Sequence, residues 1–323
     1  MYDKAAGIDA MPLGPLLAFS SGAHEAAFVR RFHTARLPAD LFNFSMVMTC
    51  NLALVLLKMV PHGRWDSAAL LLHDALASAV LLGLLQGRRE AYLCHRSLLI
   101  GMLHVGHTMI SMHVQPMSPT PTCSPDSTGP LAALRFWIVE VLGQLVPWTA
   151  VFACVLPLPI KHAVWSQAVT VGALLLPPVA ARRRRVSLQL CPTADARYNR
   201  AVAVLNTALT MVLPPPMAVW VLTPHPLPDA AAFYLITTLM QLLASFALPL
   251  LWLARREWRA RIQFARGQRD AAAVASLHRQ AQQWRLGPIE WTALSAALWC
   301  IGLCIARTAA QSRWAALAAD NVT

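Results

Sequence analysis

Charged side chains are scarce: Asp, Glu, Lys and Arg make up 13% of the 323 residues, about half the share usual in soluble proteins. Beside 57% hydrophobic residues, that deficit excludes an ordinary water-soluble domain. Lysine is scarcer still, limited to Lys4, Lys58 and Lys161, so the net charge of +12 comes almost wholly from arginine. There is no Walker loop, GxSxG elbow or kinase signature, which argues against primary pumps and nucleotide-driven enzymes. No RNA- or DNA-binding motif accompanies the arginines, so no nucleic-acid partner is expected. The seven cysteines have no zinc-like spacing and form no disulfide framework. Five of them lie in apolar runs, where cysteine acts as a small hydrophobe; Cys123 and Cys191 lie in loops. The first 22 residues lack a basic stretch ahead of a clean apolar core, so targeting is expected from an internal span.

Long apolar runs fill the rest. They predict an all-α, polytopic membrane protein with seven or eight transmembrane helices, each long enough for a hydrocarbon core of about 30 Å. The expected spans are 41–60, 67–86, 92–113, 131–156, 163–180, 200–222, 230–254 and 289–307. Residues 1–40 form an N-terminal tail whose Glu25–His33 stretch predicts an interfacial helix. The bundle covers 41–307, with basic loops at 181–200 and 255–288, and 308–323 is a C-terminal tail. The host membrane is not specified by these features.

Orientation is in tension. If all eight spans cross, the arginine-rich loops share one side, and the positive-inside tendency puts them in the cytoplasm with both termini outside. The first three spans alone put the N-tail and Arg88-Arg89 inside instead. The two signals agree only if residues 131–180 cross once or three times. The short 163–180 stretch, ending in Pro177-Pro178, is the best candidate for a re-entrant segment.

The stretch Tyr92–Pro116 carries four histidines in an apolar helix-length run. At about 100° per residue, Ser97, His104, His107, Thr108 and Ser111 share one arc, which must face protein or a cavity rather than lipid. Converting sequence position to depth at about 1.5 Å per residue places Asn51, His73, Asp74, His104, His107 and Glu140 in one polar layer drawn from four helices. Ser67 and Ser78 share the face of Asp74. Charge inside a bilayer is expensive, about 2.5–3.5 kcal/mol for an Asp at a helix centre, so Asp74 and Glu140 must be paired, hydrated or protonated. This set reads as a proton or ion relay of Asp74, His104, His107, Glu140 and Asn51. Interhelical hydrogen-bond glue is the plainer alternative. A metal held by His73, Asp74, His104, His107 and Glu140 is a further one. The HxxxH and HxxHH boxes of membrane desaturases are absent, and no cofactor is named by any motif.

Pro214, Pro215 and Pro216 must break the 200–222 helix, since each removes a donor and crowds the preceding turn. Broken helices of this kind line substrate cavities in transporters. Arg255, Arg256, Arg259 and Arg261 open a basic amphipathic segment expected to bind anionic lipid headgroups; no protein partner is specified. The leading functional expectation is a transporter or channel for a small solute or ion, with proton coupling. The alternatives are a membrane sensor that signals through 255–285 and a metal-dependent membrane enzyme.

Overall fold

The structure is a computed structural model. It describes residue 19 and residues 22–114, 129–143, 146–212, 229–267, 296–297 and 299–302. Every regular element among them is helical. In order come α1 (Gly22–Thr34), α2 (Leu37–Leu54), α3 (Trp65–Gly87) and α4 (Arg89–Val114). Then follow α5 (Pro130–Gly143), α6 (Val146–Val155), α7 (Ile160–Leu175), α8 (Pro177–Leu190) and α9 (Ala194–Val212). The last two are α10 (Asp229–Met240) and α11 (Leu248–Gly267). Two compact units are formed, one by Met1–His104, Phe152–Ser166 and Leu250–Leu286, the other by Val105–Val151, Gln167–Pro249 and Gly287–Thr323.

Proline does two jobs. It sits in the first turn of α2, α5, α6 and α8, where its missing N–H costs no hydrogen bond. Elsewhere it follows a π-helical turn: Val55–Met59 extends α2 just before Pro61, and Gln241–Ala247 joins α10 to α11 just before Pro249. A widened turn eases the clash of the proline ring with the carbonyl four residues back. Between α2 and α3 the chain reverses at Gly63, whose φ of +64° is open to glycine at no steric cost.

The α2–α3 hairpin in the first unit is built inside out. Its buried positions on α3 are Ser67, Ala68, Leu71, Asp74, Ala75, Ser78, Leu81 and Leu85, many of them small or polar. Leu72, Leu76 and Val80 face outward, as do Leu56 and Leu57 in the π-helical extension of α2. A water-soluble hairpin would do the reverse, and an exposed apolar surface of this extent calls for lipid.

Three described helices are long and apolar enough to cross a membrane: Leu37–Met59, Trp65–Gly87 and Ala230–Gly267. A fourth is added if Ile160–Leu175 and Pro178–Leu190, bent by 61°, form one broken span. This is fewer than the seven or eight expected, and the reasons are local. The 131–156 run is split into α5 and α6, of 14 and 10 residues, each shorter than about 30 Å at 1.5 Å per residue. α4 is long, but its histidines and Arg96 keep it less apolar than the three. Most of 289–307 lies outside the described residues, as do Pro214, Pro215 and Pro216. One cysteine also departs from expectation: Cys191 is disulfide-bonded.

The 38 residues of Ala230–Gly267 would extend about 57 Å, nearly twice the hydrocarbon thickness. A crossing by this helix would leave its basic C-terminal third beyond the hydrocarbon core. α1 packs against that third through Phe19, Phe28, Phe32, Ile262, Phe264 and Ala265. The helix expected in the N-tail thus exists, but its apolar face is covered by protein rather than by lipid. The second unit centres on Tyr198 and Phe233, with ring centroids 5.0 Å apart, and on Phe136 and Trp137 beside them.

Candidate functional site

Turning α2 and α3 about Gly63 brings Asn51 level with Asp74. The Asn51 amide Nδ2 donates to Asp74 Oδ2 at 2.7 Å, and both residues are buried in helices apolar enough to span a membrane. Ser78, one turn beyond Asp74, is fully buried and its hydroxyl has no hydrogen-bond partner among the described residues. The pair therefore offers an acidic group, a neutral amide that orients it and a spare hydroxyl on the same face. A carboxylate oriented by a neutral amide can take up a proton without losing that hydrogen bond.

The other expected members of the layer are distributed differently. His73 is exposed, because a 100° step separates it from its buried neighbour Asp74. His104 is buried in the first unit, its Nδ1 3.2 Å from Ser166 Oγ and its ring stacked on Phe152 at 4.7 Å. His107 and Glu140 belong to the second unit. His107 is half-buried, and Glu140 accepts a hydrogen bond from the Ser187 hydroxyl at 2.9 Å. Arg183 and Tyr198 lie close enough to Glu140 to interact with its charge, so this carboxylate has a cation near it. No group of three or more His, Cys, Asp or Glu side chains suited to a metal ion occurs among the described residues.

A second polar set lies at one end of the first unit. Arg96 and Asp40 are both fully buried and meet as a fork, Nε to Oδ2 at 2.6 Å and Nη2 to Oδ1 at 2.7 Å. Tyr92, one turn before Arg96 on α4, donates its hydroxyl to Asp40 Oδ2 at 2.9 Å, and Arg96 Nη1 donates to the Pro157 carbonyl at 3.0 Å. Planar guanidinium suits this two-point contact, and few donors or acceptors are left over. Beside it, His33 Nδ1 donates to the Leu93 carbonyl at 2.9 Å and Nε2 faces the Ser97 hydroxyl at 3.1 Å. Burial first, then the Arg96 charge, outweigh the carbonyl contact and push His33 down to about 4. The imidazole is thus neutral at pH 7 and serves as a fixed polar strut.

Arg261 was expected to face lipid. It is instead buried, with both carboxylates of Glu25 and Glu257 on its guanidinium at 2.6–3.0 Å. The rings of Phe28 and Phe19 lie 4.1 and 4.9 Å from it. Glu257 also accepts the backbone N–H of Ile160, the first residue of α7, where a carboxylate complements the helix dipole. Burial pushes the Glu25 carboxyl up, but the Arg261 contact, the Phe19 N–H and the Arg261 and Lys161 charges together hold it below its usual range. Arg255 and Arg259 are exposed as expected, and Arg256 is half-buried.

Asp40, Tyr92, Arg96, His33, Glu25 and Glu257 escape a reading of the sequence that treats charges near span ends as loop charges. One signal was available: Arg96 lies inside a run of apolar residues and must find an anion there. The chain matches no protein-family model, no curated protein and no solved structure.

Proposed function

We propose that the chain is a multi-pass membrane protein that moves a small solute or ion, with Asp74 as the proton-accepting group. The observation that carries the reading is the buried Asn51–Asp74 pair at 2.7 Å inside a hairpin that turns its leucines outward. A relay built on Asp74 needs only protonation and deprotonation at one carboxylate, with Asn51 holding its orientation throughout. His104, in the same unit, is the candidate to extend that path. The test is proton movement into liposomes that enclose a pH-sensitive dye, under a potassium diffusion potential. Wild type is expected to acidify the lumen at least tenfold faster than Asp74→Asn, which keeps the size and the amide contact but cannot ionise. Equal rates in the two would reject Asp74 as the acceptor and leave it as interhelical glue.

The same reading gives seven crossings. Ion pairs and hydrogen bonds tie α1, the start of α4, the 157–160 link and the 255–267 helix to one end of the first unit. A chain that leaves a membrane face and returns to it has crossed an even number of times. Between 160 and 255 the sequence offers three spans, so one of them does not cross. The 61° bend between α7 and α8 supports a re-entrant 163–180. Every lysine and arginine except Lys58, Arg64, Arg135, Arg307 and Arg313 then faces one side, the cytoplasmic one. A second reading has α7 and α8 as one bent crossing, which the disulfide at Cys191 favours because bridges persist on the oxidising side.

A further inference from the structure

Two arginines at the basic end of the first unit have no carboxylate of their own. Arg36, the residue before α2, lies over the Phe32 ring at 5.4 Å, and its Nε is buried with no hydrogen-bond partner among the described residues. Arg256 lies over the Trp252 ring at 4.9 Å and donates only to the Cys154 carbonyl, at 3.4 Å. Neither makes an ion pair among the described residues. The Asp40 charge acts on Arg36, but its two oxygens already hold Arg96 and Tyr92. Arg36 is pushed below the usual arginine range, by burial first and then by the charges of Arg256 and Arg96. Like charges gathered in a half-buried place repel one another, and a bound anion relieves that repulsion.

The surroundings say what kind of anion fits. Asn43 on α2 donates to the Val155 carbonyl, and Arg256 on α11 to that of Cys154, so α2 and α11 flank the end of α6. On α11, Arg256, Trp252 and Leu248 follow at intervals of four and form one stripe. Trp252 and Leu248 are 41% and 57% exposed, and Val155 is 38% exposed. A cation, then an indole, then an exposed leucine is the order of a lipid-water boundary read inward. We propose that this notch binds the phosphate of an anionic phospholipid between Arg36 and Arg256, with an acyl chain lying along Trp252 and Leu248. Guanidinium groups from two helices can each present a two-point fork to phosphate oxygens. The proposal rests on membrane placement and is independent of transport.

The probe is phosphatidylglycerol, added to the purified full chain in detergent and read by native mass spectrometry against phosphatidylcholine. Wild type is expected to retain phosphatidylglycerol with about tenfold preference, the ratio that a modest charge-assisted contact supplies. Arg36→Gln and Arg256→Gln should each erase the preference. The double variant Arg88→Gln/Arg89→Gln, which removes exposed charges from the same unit, should keep it. Should Arg36→Gln fail to fold, Arg256→Gln decides alone. An unchanged preference in the Arg256 variant overturns the proposal, and so does equal loss in the Arg88/Arg89 variant. Displacement of the lipid by millimolar inorganic phosphate would show a free-anion site and reject the lipid. Failure of the membrane placement itself would look different: the chain would stay monodisperse once detergent was removed.

Discussion

Asp40→Ala is expected to lower folding stability by about 3–5 kcal/mol, the range for removing one partner of a buried ion pair. The cost arises less from the lost attraction than from what remains. Arg96 would be left fully buried with the Pro157 carbonyl as its contact, and Tyr92 would lose its acceptor. Desolvating a guanidinium without a counter-charge is the most expensive state available to that site. The double variant Asp40→Leu/Arg96→Met should therefore recover to within about 2 kcal/mol of wild type, because both charges leave together. Unfolding curves in detergent for wild type, Asp40→Leu, Arg96→Met and the double variant measure this. A cycle in which the two losses simply add would mean the pair is not coupled.

Arg261→Met should have a similar effect, about 3–5 kcal/mol, and a larger gain from mild acid than wild type. In wild type the Glu25 carboxyl is held below its usual range by Arg261, so its contribution is complete above the unfolded value of about 4.3. That contribution is lost as pH falls through the folded value. Without Arg261, burial is the dominant influence on Glu257 and Glu25, and it favours the protonated acids. Burial already raises the Glu257 carboxyl in wild type, so both proteins gain from its protonation, and the variant should gain more between pH 7 and pH 5 because Glu25 joins it. Melting temperatures across that window read the difference directly. Trypsin should also cut faster at the exposed Arg30 and Arg31, because α1 is held to α11 by this ion pair and the phenylalanine cluster. Parallel pH profiles for the two proteins would show that Arg261 does not neutralise these acids.

The helices were legible because apolar runs of some twenty residues have few other fates. The nearness of Asn51 and Asp74 follows from counting residues on either side of the Gly63 turn, since a tight hairpin leaves almost no freedom in register. His73 was misplaced by the same count, which gives depth and says nothing of direction around the helix axis. The charges near helix ends were harder. Arg261 sits in a run of exposed arginines and differs from Arg259 only in facing α1, and α1 is more than two hundred residues away in sequence. Pairings that distant are set by tertiary packing and leave no local pattern. The split of 131–156 into α5 and α6 was hinted at by Pro147, since a proline in mid-run is as apt to start a helix as to kink one.

The account depends most on the chain crossing the membrane repeatedly, with the α1 end of the first unit on one face. Single cysteines at exposed His62, Arg31, Arg89 and Arg255, with all seven native cysteines replaced by serine, test this with a membrane-impermeant maleimide on sealed vesicles. Residues 31, 89 and 255 are expected to label from one face and residue 62 from the other. Adding Arg185→Cys settles which of α7–α8 and the 200–222 stretch crosses: with 31, 89 and 255 if α7 is re-entrant, with 62 if α7 and α8 cross together. Labelling of 62 and 89 from the same face would contradict the account, because α3 would then not be a span.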